Sequence, residues 1–167
     1  LYGPVEDSLL ALAKDVLAHC QLVEEQGDIA MADCYEVAQK SRDMVAAYHD
    51  LSPEFSARVE IRDDLPPGLM VTGSKLLVSR HTLMERRRIK ALLSHEIGVH
   101  LLTYFNGSWQ GLRVFRTGLS GYEGVQEGLA VLAEYLTGGM TRERLRLIAA
   151  RVVACAAMLD GASFSET

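Results

Sequence analysis

The chain is 167 residues long, 49% apolar and 23% charged, with a formal net charge of −5. That length suits one compact domain, which can bury roughly 70% of its extended surface without staples. The mixed, mildly acidic charge argues against a nucleic-acid or membrane-surface protein, and no apolar run reaches the ~20 residues of a membrane span.

No charged-then-apolar leader is expected. Cys20, Cys34 and Cys155 form no Cys-x-x-Cys pair, so a thiolate metal site is not expected. They read as buried thiols in a reducing cytoplasm. Leu1 rather than methionine opens the sequence, which reads as a piece of something longer.

In chain order, Pro4 and the series Leu9, Leu10, Ala13, Val16 and Leu17 predict a first helix ending at Gly27. Asp28 is placed as the cap of a second, through Met31, Tyr35, Ala38, Val45 and Tyr48. Alternation over 58–62 predicts a half-buried strand, and Pro66-Pro67-Gly68 a turn. Residues 69–71 and 75–79 read as two strands joined by Thr72-Gly73-Ser74. A helix is expected from Thr82 to Phe105, stopped by Asn106-Gly107. A Gly-rich irregular stretch follows to Gly121, then a helix from about Tyr122 to Leu136. Thr141 caps a last helix through Met158. The pattern is that of an α+β domain.

Two of the five histidines fall in His95-Glu96-Ile97-Gly98-Val99-His100, between Ala91-Leu92-Leu93 and Leu101-Leu102. Imidazoles and a carboxylate in so apolar a helix cost about 1–3 kcal/mol each when a partner is lacking. A divalent metal satisfies them, the imidazoles binding it and the carboxylate bonding to its water. The alternative is a pair of core histidines with ordinary hydrogen bonds. The familiar zinc helix spaces its histidines four apart. Here the step is five, about 140° apart in a regular helix. Both face one ion only in a locally widened, π-type turn, which Gly98 would ease.

Glu127, in Gln126-Glu127-Gly128-Leu129-Ala130, supplies a third ligand. Its helix is otherwise apolar, where a bare carboxylate is expensive, and Gly124 and Gly128 are expected to let it approach the histidine helix. Two histidines and a glutamate leave one position open, the pattern of a catalytic zinc. Glu123 and Glu134 share the face of Glu127, either to orient a ligand or to pair with Arg146 or Arg151.

The His-Glu-x-x-x-His spacing followed by Gln-Glu-Gly-Leu-Ala resembles the bacterial flavohemoglobin expression-modulating QEGLA motif proteins, relatives of the microtubule-associated tyrosine carboxypeptidases. The likeness extends over Leu101–Tyr104, Asn106-Gly107, Gly118–Glu127 and Ala149-Arg151-Val152-Val153. It implies a mostly helical, zincin-like metallopeptidase domain over residues 1–167, with a small antiparallel sheet beside the active-site helix. The implied ligands of one Zn2+ ion are His95, His100 and Glu127, with Glu96 catalytic and a peptide or protein C-terminus as substrate. Family members usually run beyond the position of Thr167, so substrate-binding residues are expected outside this chain.

In such a site Glu96 takes the proton of an activated water and returns it to the leaving amine. Tyr104, Tyr122, Arg113 and Arg116 are candidate oxyanion donors, and the two arginines also candidate partners for a substrate carboxylate. Leu76–Ser79 is either a core strand or an edge to which a peptide adds. Arg86-Arg87-Arg88 and Arg142, Arg144 and Arg146 read as solvated helix faces. His19, His49 and His81 lack partners at ligand spacing. Two other functions share these features: a metal-containing regulatory module without turnover, and a hydrolase of a non-peptide amide. Intact Glu96 favours an enzyme.

Overall fold

The computed structural model describes residues 4–22 and 29–165. Its elements are α1 (Asp7–His19), β1 (Met31–Asp33), α2 (Cys34–Leu51), β2 (Arg58–Arg62), β3 (Leu69–Thr72), β4 (Lys75–Ser79) and β5 (Leu83–Glu85). Then come a 3-10 turn (Arg86–Arg88), α3 (Ile89–His95), a π-helical turn (Glu96–Leu101), α4 (Leu102–Trp109), α5 (Arg113–Thr117), α6 (Glu123–Leu136) and α7 (Arg142–Leu159). This is an α+β chain with small sheets. Among the described residues no helix is long and apolar enough to cross a membrane.

The chain divides into two compact units, one of Leu1–Gly27 with Met140–Thr167, the other of Asp28–Gly139. In the first, α1 packs on α7 through small buried residues, Ala13, Ala149 and Ala156. Thr141 caps α7 by accepting from the Arg144 amide. Arg146 is not a solvated side chain: its guanidinium donates to the carbonyls of Leu17 and Cys20 at 2.7 and 2.8 Å, where α1 leaves carbonyls without helical partners. Of the cysteines only Cys34 is buried; Cys155 is exposed and Cys20 half-buried.

The second unit is built on a three-stranded sheet in the order β2-β4-β3. β3 and β4 form a hairpin across Gly73, whose φ of 54° suits the turn. β2 joins the other side of β4 in parallel, Val59 opposite Leu76, so the sheet is mixed rather than antiparallel. β4 is thus central, with Leu76 and Val78 wholly buried, and has no free edge for a peptide. β3 and β4 pack against the π-helical turn.

The second helix starts at Cys34. Gly27 and Asp28, the expected stop and cap, lie outside the described residues. Asp33 is the cap, accepting from the amides of Tyr35 and Glu36 at 3.0 and 2.9 Å. Just before it, β1 pairs antiparallel with β5, Ala32 opposite Met84. The expected helix from Thr82 therefore begins only at Ile89, and it runs past Asn106-Gly107 to Trp109. Arg86 pairs two-pronged with Glu36 at 2.6 and 2.8 Å, and Arg87 with Glu85, so this triplet is not a free basic face.

The core gathers Val37, Ala38, Phe55, Leu76, Val78, Ile97, Leu101 and Phe105. Each large side chain buried there contributes about 1.5–3 kcal/mol. Phe105 stacks on Phe55 at 4.6 Å, which ties α4 to the chain that follows α2. The sheet and this core hold the π-helical turn from beneath and leave its other side open to a cleft.

Candidate metal centre

His95 is the last residue of α3, and the next six residues wind as a π-helical turn. With i→i+5 bonding, a five-residue step closes one revolution, so residues 95 and 100 share a face. Their rings stand 4.9 Å apart at 65°. The local widening expected from the spacing is present. It does not depend on room at Gly98: a methyl there would meet the Tyr48 hydroxyl at 3.5 Å and Met44 Cε at 3.8 Å, ordinary contacts.

α6 packs across α3 and the widened turn and presents Glu127 to both rings. Glu127 Oε1 lies 3.5 Å from His100 Nε2, and Oε2 lies 3.8 Å from His95 Nε2. All three ligand atoms fall within 4.8 Å of one another, so this group can hold a metal ion. Tetrahedral bonds of about 2.0–2.2 Å separate donors by roughly 3.4 Å, close to the two shorter spacings. The donor set therefore fits a zinc-type ion.

Two physical expectations need correction. The Glu127 side chain is 61% exposed, so it is not a bare carboxylate buried in an apolar helix. Gly124 and Gly128 face open space, with nothing within 4 Å of an added methyl. Close approach is made instead at Gly139, where a methyl would overlap Cβ of Ala91 on α3.

The buried carboxylate of the group is Glu134, 4% exposed, whose Oε1 lies 2.7 Å from His95 Nδ1. A carboxylate accepts there from the ring N–H, which leaves Nε2 as the lone-pair nitrogen facing Glu127. Glu134 thus bonds within the site, as a partner that orients a ligand. Burial holds the His95 imidazole below its ordinary pKa, against the opposing pull of Glu134, and so in the neutral form a metal takes. Glu123 is exposed, and no hydrogen bond ties it to the site among the described residues.

Glu96 faces the same cleft, of about 600 Å³. Burial pushes its carboxyl up to about 7, and the charges of Glu127 and Glu134 add to the shift. Tyr104, Tyr122 and Arg116 line this cleft; Arg113 does not. Thr103 and Gln126 line it too, although sequence reasoning passed over them. Their positions gave a signal, since Thr103 lies one turn beyond His100 and Gln126 directly precedes Glu127.

No curated protein and no solved structure matches the chain. A family model described as microtubule-associated tyrosine carboxypeptidase matches residues 1–167, its whole length, and the chain belongs to that family.

Proposed function

We infer that this chain is a zinc-dependent metallopeptidase of carboxypeptidase type. Kinship to a peptidase family supports a hydrolase in general. The observation that carries the finer reading is the convergence of His95, His100 and Glu127 beside the half-buried Glu96 in one cleft.

His95, His100 and Glu127 would hold the ion, which when bound supplies Lewis acidity toward a water and a peptide carbonyl. Glu96 moves the proton. Its carboxylate takes a proton from the attacking water; once protonated, it gives that proton to the amine nitrogen as the C–N bond breaks. Burial, which disfavours the charged form of Glu96, helps it hold the proton between the two transfers. Tyr104 and Tyr122 bring phenolic donors to the cleft wall, suited to a developing oxyanion.

The family's description names a tyrosine carboxypeptidase. The aromatic lining of Tyr104, Phe115 and Tyr122 suits an aromatic C-terminal residue on a peptide or protein substrate. Residues 1–167 then form a zincin-like catalytic domain. The chemistry lies in the Asp28–Gly139 unit, and the protein works in the cytoplasm.

The test is metal analysis of the purified chain with His95→Ala beside it, followed by assay on peptides of varied C-terminal residue. Zinc at one equivalent, lost in His95→Ala, is expected. Glu96→Gln is expected to keep zinc and abolish hydrolysis. Metal bound with no turnover of any peptide would instead favour a regulatory module, and turnover confined to non-peptide amides a different hydrolase.

A further inference from the structure

We propose that Arg116 anchors the terminal α-carboxylate of the substrate, so that the cleft admits the free end of a chain rather than its interior. This inference rests on the carboxypeptidase reading and adds to it a substrate-binding residue.

The charge of the cleft is one-sided. Glu96 and Glu127 line it, with Glu134 behind His95, and Arg116 is the only arginine or lysine lining it among the described residues. Apart from the ion that His95, His100 and Glu127 would hold, Arg116 is therefore the one cationic group on the wall that an entering carboxylate can meet.

Arg116 is held so that it can act there. Its guanidinium carbon sits 5.9 Å from the centroid of the Tyr104 ring. Tyr104 meets Phe105 edge-on at 5.4 Å, and Phe105 is buried against Phe55, so the ring beneath the guanidinium is fixed to the core. A cation–π contact of this kind uses none of the N–H donors in hydrogen bonding and leaves the fork for a carboxylate. Other arginines of this unit already have such a partner: Arg62 pairs with Asp64, Arg80 with Asp63 and Arg86 with Glu36. Among the described residues no carboxylate pairs with Arg116.

The backbone around Arg116 is equally constrained. A methyl on Gly107 would overlap the Phe115 carbonyl, so α5 lies directly against α4. Gly118 closes α5 at a φ of 84°, and the Tyr122 ring fills the space its side chain would take. Arg113, on the same short helix, does not line the cleft.

The experiment uses the zinc-loaded chain and one fluorescein-labelled peptide ending in tyrosine, prepared as free acid and as carboxamide. Binding is read by anisotropy, and turnover of each form is measured separately. Wild type is expected to bind the acid at least about tenfold more tightly than the amide. Arg116→Gln should lose about 10–100-fold on the acid and nothing on the amide, the range expected for a charge-assisted, two-pronged contact. Arg116→Lys, which keeps charge but not the fork, should fall between, and it serves as the readout if the glutamine variant does not fold. Equal loss on both peptides, or no loss on either, overturns the anchor. Acid-selective binding by wild type without turnover keeps the anchor and removes the peptidase. Equal turnover of acid and amide keeps the peptidase and removes the anchor.

Discussion

Glu134 and His95 form a buried pair, carboxylate to Nδ1 at 2.7 Å, that fixes which ring nitrogen faces Glu127. Removing an outer partner of this kind typically costs 10–100-fold in metal affinity. Glu134→Ala should therefore weaken zinc binding by about that factor in a chelator competition, with Glu134→Gln closer to wild type because an amide oxygen still accepts. Unchanged affinity in both would mean that the ring needs no help to hold its orientation.

Glu96 gives the metal-free chain a stability that depends on pH. Its pKa is 4.5 before folding and about 7 after, so between those values the folded state binds more protons than the unfolded one. The contribution to stability is therefore complete at acid pH and falls away as pH rises from about 4.5 to 7. Glu96→Gln should remove this slope, and relative to wild type should gain up to about 3 kcal/mol on going from pH 4 to pH 8. His95, whose pKa is lowered, contributes with the opposite sign in the acid range, which is why variant and wild type are compared pH by pH. Glu127, Glu134, His95 and His100 are otherwise common to both proteins. Urea unfolding of chelator-treated samples gives the answer; parallel curves would contradict a half-buried, proton-binding Glu96.

Gly139 should be the least replaceable glycine near the site. An added methyl overlaps Ala91 on α3, and Gly139 also donates its amide to the Glu134 carbonyl at 2.8 Å. Gly139→Ala is expected to cost about 1–3 kcal/mol through overpacking. Adding Ala91→Gly should recover part of that despite glycine's helix penalty of about 1 kcal/mol. Simple addition of the two single costs would show that the overlap is relieved elsewhere.

Asp33→Ala should destabilise the chain by about 1 kcal/mol, since two amides of α2 lose their acceptor. Asp33→Asn, which keeps an acceptor, should lose less. The denaturation midpoints of the three proteins decide it.

Where local chemistry decides an element, the sequence was legible. Alternation over 58–62 marked β2, the Thr72-Gly73-Ser74 turn marked the hairpin of β3 and β4, and Thr141 marked the start of α7. Position in the sheet was less open to reading, because β2 joins β4 across an intervening hairpin. β1 and β5 were missed for a physical reason: each has three residues, too few for a period, and each is extended only through the other. At the site, a five-residue step between two histidines allowed one geometry for convergence, and the widened turn was foreseeable from it. The burial of Glu134 and the exposure of Glu127 were not, since both lie on one face of α6 and their difference is set by how deeply α3 overlaps it. Arg116 could not be chosen over Arg113, because packing at Gly107 and Gly118 decides which one reaches the cleft.

The widened turn also bears on how the helix meets the hydrophobic interior. Ile89, Leu93, Ile97, Leu101 and Phe105 are all at most 5% exposed, one every fourth position. In an uninterrupted α-helix such a stripe creeps round the axis by about 40° at each step and soon points elsewhere. A turn holding extra residues per revolution rotates the stripe back, so that its two halves stay aimed at one target. Rewinding this turn as regular α-helix with the sequence unchanged would therefore throw two registers out together, the imidazoles above and the apolar row below. Ligand geometry and packing in this protein share a single phase and can change only jointly.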